Sequence, residues 1–339
     1  MRPSRCSVGL LALTFGGVAA CGGAAAPRPL RAQSVAEPQG AAFLLLPVGA
    51  RAVGMGQAAA AEGGSTEAVF WNPAGLASVP RGEFAVHHFN AFFGTGDAIA
   101  VAARSQRLGA VALAAYLVDY GDLDLTSKEG GAGGVIGRIT PRNVALSLSY
   151  ATDVATGVSF GVTYKLVQLR VDCSGDCSSV PHATGTTHGV DVGARFSSAA
   201  APLTIGVALR NVGFPLQVEN SAQADALPTR LSFGVAYQVV QAEPGEEAQS
   251  VDLRVIADIQ GDVGRGSFSP ATLLGVESGV GDMVRLRGGY AFLDSEASGP
   301  SIGLGMRLGG ISFDLARVFS ASDNLSEREP FHVSFRAAF

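Results

Sequence analysis

Two glycine-rich patterns, five histidines and four cysteines are the residues of this 339-residue chain whose types invite chemistry. Gly54-Met55-Gly56-Gln57-Ala58-Ala59 has the GxGxxA spacing of a dinucleotide-binding turn and follows the apolar run FLLLPV. Such a turn needs a βαβ unit and an acid closing a strand about 20 residues on, and neither follows. Gly157-Val158-Ser159-Phe160-Gly161 has the GxSxG spacing of a nucleophile elbow, which requires a strand-turn-helix setting. Ser159 instead falls in mid-strand, on a polar face. His87, His88, His182, His188 and His332 show no HExxH or related spacing. His87 and His88 are strand neighbours, so they point to opposite faces. Cys173 and Cys177, in VDCSGDCSSVP, are expected to close a small disulfide in an outer loop at 173–183, because the chain reads as exported. A metal site there needs more ligands than the neighbouring His182 supplies. The expectation is therefore no catalytic residue, no metal and no cofactor.

The bulk properties narrow the class. Charged residues are 16% of the chain, against about 25% in ordinary globular proteins, and glycine reaches 45 residues. Net charge is −5, and the 24 Lys and Arg are scattered rather than gathered into a stripe, so no nucleic-acid partner is expected. Beyond the N-terminus no uncharged apolar run approaches the roughly 18 residues of a membrane helix. Arg2 and Arg5 precede an apolar stretch from Cys6 to Ala20, the layout of an export signal. Val18-Ala19-Ala20-Cys21 resembles a bacterial lipobox, which would make Cys21 a lipidated N-terminus. Ordinary cleavage near Ala20 or near Ala32 reads the same residues. In either case residues 1–32 are a leader, and the protein leaves the cytoplasm.

After residue 83 the pattern has period two, the mark of strands with two unlike faces. In GVSFGVTYKL, Val158, Phe160, Val162, Tyr164 and Leu166 oppose Ser159, Gly161, Thr163 and Lys165. Segments beginning near Glu83, Asp97, Leu108, Asn143, Gly157, Thr184, Leu203, Leu227, Ser250, Pro270, Met283, Pro300, Ile311 and Phe331 repeat this alternation, and most run 9–13 residues. Short and long connections alternate, with two exceptions: a very short first outer loop and a long turn at 240–249. This predicts an all-β, 14-stranded antiparallel transmembrane barrel over residues 83–339, apolar toward lipid and polar within. Arg195, Arg210, Arg230, Arg254, Arg285, Arg287, Arg307 and Arg336 fall on the lumen face, as do Asp191, Asp252, Asp258 and Asp314. Charges in a narrow lumen need partners, so Arg–Asp pairs across strands are expected. They read either as structural packing or as an anion-tolerant pathway. Phe339, on an alternating last strand, resembles the signal read by the barrel-assembly machinery.

Residues 33–82 read as a helical plug folded back into the barrel. Gln57 to Glu62 favours a short helix, Ser65-Thr66-Glu67 suits the cap of a second, and Asn72-Pro73 ends it after the lone Trp71. Gly49-Ala50-Arg51-Ala52-x-Gly54-Met55-Gly56-x-Ala58, followed by Ala68-x-x-Trp71-Asn72-Pro73-Ala74-Gly75-Leu76, resembles the N-terminal signature of the PorV/PorQ family. Those outer-membrane proteins are related to FadL-type transporters, which share an Asn-Pro-Ala hatch. The resemblance implies a FadL-like barrel in the bacterial outer membrane whose hatch motif includes Gly49, Arg51, Gly54, Gly56, Trp71, Asn72, Pro73 and Gly75. It implies first an accessory of protein secretion or surface attachment, working with type IX secretion components and secreted proteins. The alternative is a conduit for hydrophobic small molecules, and a third reading is a structural barrel without transport.

Overall fold

The computed structural model describes residues 40–91, 93–126, 134–178, 183–218, 223–240, 251–263, 270–281, 283–293, 298–319 and 330–339. The leader at 1–32, with Cys21, and the first residues of the expected plug lie outside the described residues, as does His182. The strands are β1 (Gly82–Ala91), β2 (Gly94–Ser105), β3 (Gly109–Asp119), β4 (Leu123–Thr126), β5 (Val135–Ala155), β6 (Val158–Gly175), β7 (Ala183–Ser197) and β8 (Leu203–Gly213). They continue with β9 (Leu216–Gln217), β10 (Ala224–Asp225), β11 (Arg230–Val240), β12 (Val251–Asp262), β13 (Ala271–Val280), β14 (Val284–Phe292), β15 (Gly299–Leu308), β16 (Ile311–Val318) and β17 (Phe331–Ala338).

Antiparallel pairing runs unbroken from β1 round to β17, and β17 returns to β1 with Glu83 opposite Ala338. β4 pairs only with β5, and β9 pairs with β10, so the closed ring holds 14 strands. Closure leaves no unpaired sheet edge within the ring. Phe339 completes the seam, its N–H donating to the Gly82 carbonyl at 3.0 Å.

The alternation of side chains sorts the two faces. Ile99, Leu113, Leu148, Phe160, Phe233, Ile302 and Phe335 all point outward and are exposed. Their neighbours Ala98, Ala112, Ser149, Ser159, Ser232, Ser301 and Ser334 point inward and are buried. A protein in water buries the first set. Here the contiguous apolar belt faces outward, as a bilayer requires.

Most connections at one end are brief, at 106–108, 156–157, 198–202, 281–283 and 309–310, with 241–250 the exception. Gly157 and Gly309, with φ 75° and 60°, make the two-residue turns among them. At the other end they span 120–134, 214–229, 263–270 and 319–330. We call these the short-turn and long-loop ends.

Three expectations need correction. β5 begins at Val135 rather than near Asn143, running through Pro141, and reaches 21 residues; β6 reaches 18. β3 pairs with β5 only as far as Arg142, and β7 pairs with β6 only as far as Val171. Residues 135–141 and 172–175, with β4 alongside, therefore project past the ring as a small sheet. Cys173 and Cys177 are disulfide-bonded at its tip, with Cα atoms 6.1 Å apart, but Cys173 belongs to β6 rather than to a loop. Finally, the first long-loop connection occupies only residues 92–93, since β2 starts at Gly94.

Candidate functional site: the N-terminal segment against the barrel wall

Residues 40–81 run from the long-loop end to the short-turn end along the inward faces of the strands. At one end the Gly40 N–H donates to the Ala226 carbonyl at 3.0 Å; at the other, Gly82 opens β1. The segment has little regular structure of its own: a 3-10 turn at Ala42–Leu45, α1 (Ala50–Gly54), α2 (Ala68–Trp71) and a 3-10 turn at Pro73–Ser78. The expected helix over Gln57–Glu62 does not form. Gln57 has φ 68°, and the amides of Ala59 and Ala60 both donate to Asp258 Oδ2 on β12 at 2.7 Å. Two charge-assisted bonds outweigh the small helix preference of an alanine run.

The same logic holds along the segment, because buried backbone groups without intrahelical partners must find others. The Ala50 N–H donates to Ser334 Oγ at 2.8 Å, and Gly56 N–H to Ser301 Oγ at 3.1 Å. Thr66 donates its N–H and its hydroxyl to Glu83 Oε1 at 2.7 and 2.8 Å. In the other direction, Arg195 Nε reaches the Ala61 carbonyl at 3.0 Å and Arg210 Nη1 the Phe70 carbonyl at 2.8 Å. Where no side chain intervenes, the wall carries glycine. A Cβ on Gly206 would lie 1.9 Å from the Ala60 carbonyl oxygen, and one on Gly193 1.9 Å from Asn72 Oδ1.

The Trp71-Asn72-Pro73 turn is the crossing point. Trp71 is 8% exposed; its indole N–H donates to the Val48 carbonyl at 2.9 Å, and the Arg210 guanidinium lies 5.2 Å over its ring. Asn72 is fully buried. Its amide donates to the Ala60 carbonyl at 2.6 Å and the Ala194 carbonyl at 3.2 Å, and its oxygen accepts the Ala74 N–H at 3.1 Å. It thus ends α2, caps the next turn and ties both to β7. Pro73, at the first position of that turn, has no N–H to satisfy.

Charge fills the short-turn half. Arg254 pairs with Glu62 at 2.8 Å, Glu62 with Arg51 at 2.6 Å, and Arg51 with Glu277 at 3.1 Å. Glu277 pairs with Arg287 at 2.6 Å, Arg287 with Asp314 at 2.7 Å, and Asp314 with Arg336 at 2.7 Å. This alternating row starts on the wall, crosses the segment through Glu62 and Arg51, and returns to the wall. Arg285 pairs with Asp252 at this end too, whereas Arg230 pairs with Asp262 at 3.0 Å beside the long loops and Asp191 with Lys165 at 2.6 Å at the margin of the other half. Arg307 stands near the short-turn rim, lining a cavity of about 190 Å³ between residues 63–65 and the wall. Another opening of about 470 Å³ lies beside it, lined in part by Ser198, Gln238, Asp252 and Arg254.

The long-loop half holds an apolar chamber. Phe43, Phe89, Tyr116, Val118, Val167, Leu216 and Leu227 form one buried cluster, with Phe70, Phe93 and Tyr120 against it. Phe43 and Tyr116 lie 5.8 Å apart between ring centroids, Phe70 and Tyr116 6.3 Å. A cavity of about 20 Å³ sits within, lined by Leu44, Leu46, Val48, Phe70, Trp71 and Tyr116, with Lys165 and Arg210 at its margin. The sequence reading expected a polar interior throughout and missed this chamber. Its signal was present as a change of phase, where Phe89, Tyr116 and Val167 occupy inward positions.

The sequence-derived residues are thus brought together unevenly. Gly49, Arg51, Gly54, Gly56, Trp71, Asn72, Pro73 and Gly75 lie in the segment against the wall, and each of the twelve wall charges faces inward or onto the short-turn cavities. Glu62, Glu67, Glu83, Glu277 and Lys165 were missed; most are partners of residues that were found. Ser159 donates to Asp153 Oδ1 at 2.8 Å. Among the described residues no His, Cys, Asp and Glu cluster has the makings of a metal site.

No curated protein matches the chain. Among solved structures, the Ralstonia pickettii toluene transporter TbuX aligns with a TM-score of 0.56 at 14% identity, over 86% of this chain and 98% of that one. The toluene transporter TodX of P. putida aligns at 0.54 and 11%, over 86% and 98%. The monoaromatic hydrocarbon channel CymD aligns at 0.52 and 14%, over 87% and 98%. At such identity the likeness establishes the fold: a closed barrel of the toluene-transporter kind. The model of one family covers residues 17–243, and by that match the chain belongs to the uncharacterised protein family UPF0164.

Proposed function

We propose that the protein is a conduit of the bacterial outer membrane for small hydrophobic molecules, with residues 40–81 acting as its hatch. The observation that carries this reading is the division of the interior. An aromatic chamber lies under the long loops, and an ion-paired row bolts the segment to the wall beyond it. A hydrophobic solute gains by leaving water for the chamber, and the hatch then decides whether it passes. The cavity of about 20 Å³ is too small for a ring, so passage requires the segment to shift. The fold shared with toluene transporters suggests monoaromatic hydrocarbons as the first solutes to try. In this orientation the long loops face outward, the short turns face the periplasm, and Phe339 is the mark for the barrel-assembly machinery. Uptake of radiolabelled toluene by cells with and without the protein tests the proposal. Faster initial uptake with the protein supports it, and equal rates in both overturn it.

A second reading, an accessory of protein secretion or surface attachment, draws on the resemblance of residues 49–76 to PorV/PorQ proteins. The projecting sheet of β4, β5 and β6, stapled by Cys173–Cys177, offers a stiff surface for a protein partner. Loss of secreted proteins from the cell surface on deleting the gene, with toluene uptake intact, would favour it.

A further inference from the structure

We propose that Glu67 is a proton-operated latch: with a proton its carboxyl lets residues 40–81 seat against the wall, and without one it loosens them. Glu67 stands just before α2, is 5% exposed, and makes no side-chain bond to the helix it precedes. Its carboxyl packs on the start of α1, so closely that a Cβ on Gly49 would lie 2.5 Å from Glu67 Cδ. The residue therefore joins the two helices of the segment. Its Oε1 has no hydrogen-bond partner, and among the described residues no cation forms an ion pair with it. Beside it is a cavity of about 10 Å³, lined also by Arg51, Ala52, Glu62, Ser65 and Trp71, with room for about one water. One water can bond a protonated carboxyl but cannot hydrate a carboxylate.

The charges around Glu67 are committed elsewhere. Arg51 serves Glu62 and Glu277, Arg287 serves Glu277 and Asp314, and Arg336 serves Asp314. From β1, Glu83 takes the Thr66 N–H and hydroxyl, and His87 is bonded to Ser334. From β12, Asp258 holds the Ala59 and Ala60 amides. Burial pushes the Glu67 carboxyl up to about 7, although Arg336, Arg51 and Arg287 pull it down; Asp314 adds to the rise. Once the segment leaves the wall, the carboxyl meets water and returns to its ordinary value of 4.5. The seated state thus holds the proton more tightly. Seating is strongest below pH 4.5, weakens as pH rises to about 7 and is level above that. The gap between 4.5 and about 7 corresponds to roughly two orders of magnitude in the seating equilibrium. The latch rests on the hatch reading, but not on the identity of the solute.

The test is amide exchange of the full chain in detergent, read by mass spectrometry and corrected for the intrinsic pH dependence of exchange. From about pH 5 to about pH 8, exchange of peptides within residues 40–81 should rise by roughly one to two orders of magnitude, while peptides from β11 stay level. Glu67→Gln, the neutral isostere, should flatten the rise and leave the segment protected throughout; circular dichroism and heat-dependent gel mobility show whether that variant is folded. Asp258, Glu83 and His87 remain in it, so a rise that persists in Glu67→Gln belongs to them and overturns the proposal. The wild type supplies a second measurement. Infrared difference spectra should show the stretch of a protonated carboxyl disappearing with a midpoint near the value of about 7. Absence of that signal, or exchange of the segment that does not change with pH, also overturns the proposal. Either failure is separable from failure of the conduit: toluene uptake that is faster with the protein sustains the conduit even where the latch is refuted.

Discussion

Replacing Asn72 with alanine removes one side chain and unties three places. The amide bonds to the Ala60 and Ala194 carbonyls go, and so does the acceptor for the Ala74 N–H. Ala194 keeps its place in the β6–β7 ladder, where it faces Phe160, so its loss is small. The Ala60 carbonyl and the Ala74 amide are left buried, at about 1–3 kcal/mol each. A total near 3 kcal/mol follows, little of which falls on the barrel strands. If the hatch moves between seated and unseated states, that amount raises the unseated population by about two orders of magnitude. Planar-bilayer recordings of the purified variant should show frequent openings absent from the wild type. Emission from the single tryptophan, Trp71, should shift to the red as its indole meets water. Gly193→Ala approaches the same contact from the wall, placing a Cβ 1.9 Å from Asn72 Oδ1 in the present geometry. The double variant should therefore be less than additive. Wild-type conductance and wild-type emission in Asn72→Ala would refute the reasoning, because the turn would then not be holding the segment.

Other perturbations separate wall, latch and surface. Arg287→Ala strips a partner from both Glu277 and Asp314 and should cost about 3–5 kcal/mol, read as a lower melting temperature in micelles. Phe233→Arg puts a charge in the middle of β11 on the lipid face and should cost up to about 4 kcal/mol, visible as loss of the heat-modifiable folded band. Cys173→Ser opens only a small ring and should cost under about 3 kcal/mol, leaving toluene uptake unchanged.

The barrel was legible because a bilayer imposes alternation on every strand. Phe233, Ile302 and Phe335 each stand opposite small or polar neighbours, and no soluble core would leave all three exposed. The wall charges were legible for the same reason, since Arg287 or Asp314 fits only the inward face. Their partners were less so. Glu277 and Glu83 lie on inward faces too, but nothing local says which charge across the barrel they meet. The helix expected at Gln57–Glu62 failed because propensity weighs tenths of a kcal/mol per residue, while Asp258 offers two charge-assisted bonds to the turns that form instead. Pro141 reads as a stop, yet it lies where β5 has already left the ring, next to the first β3 pairing at Arg142. The aromatic chamber was hidden because Phe89, Tyr116 and Phe43 are far apart in sequence and meet only when the ring closes.

In the proposed conduit residues 40–81 must move for a hydrophobic molecule to pass, and a reversible lock probes that movement. A Cβ built on Gly234 lies 2.9 Å from the Ala60 Cβ and 2.2 Å from Asp258 Oδ1, so Ala60→Cys with Gly234→Cys should form a bridge once the Asp258 carboxylate turns aside. Toluene uptake is then measured in cells carrying the double variant, oxidised and after reduction, beside wild-type cells given the same reductant. Uptake should be abolished by oxidation and restored by reduction, with the wild type unaffected. Equal uptake in the locked and unlocked states, with the bridge verified by mass spectrometry, would contradict it.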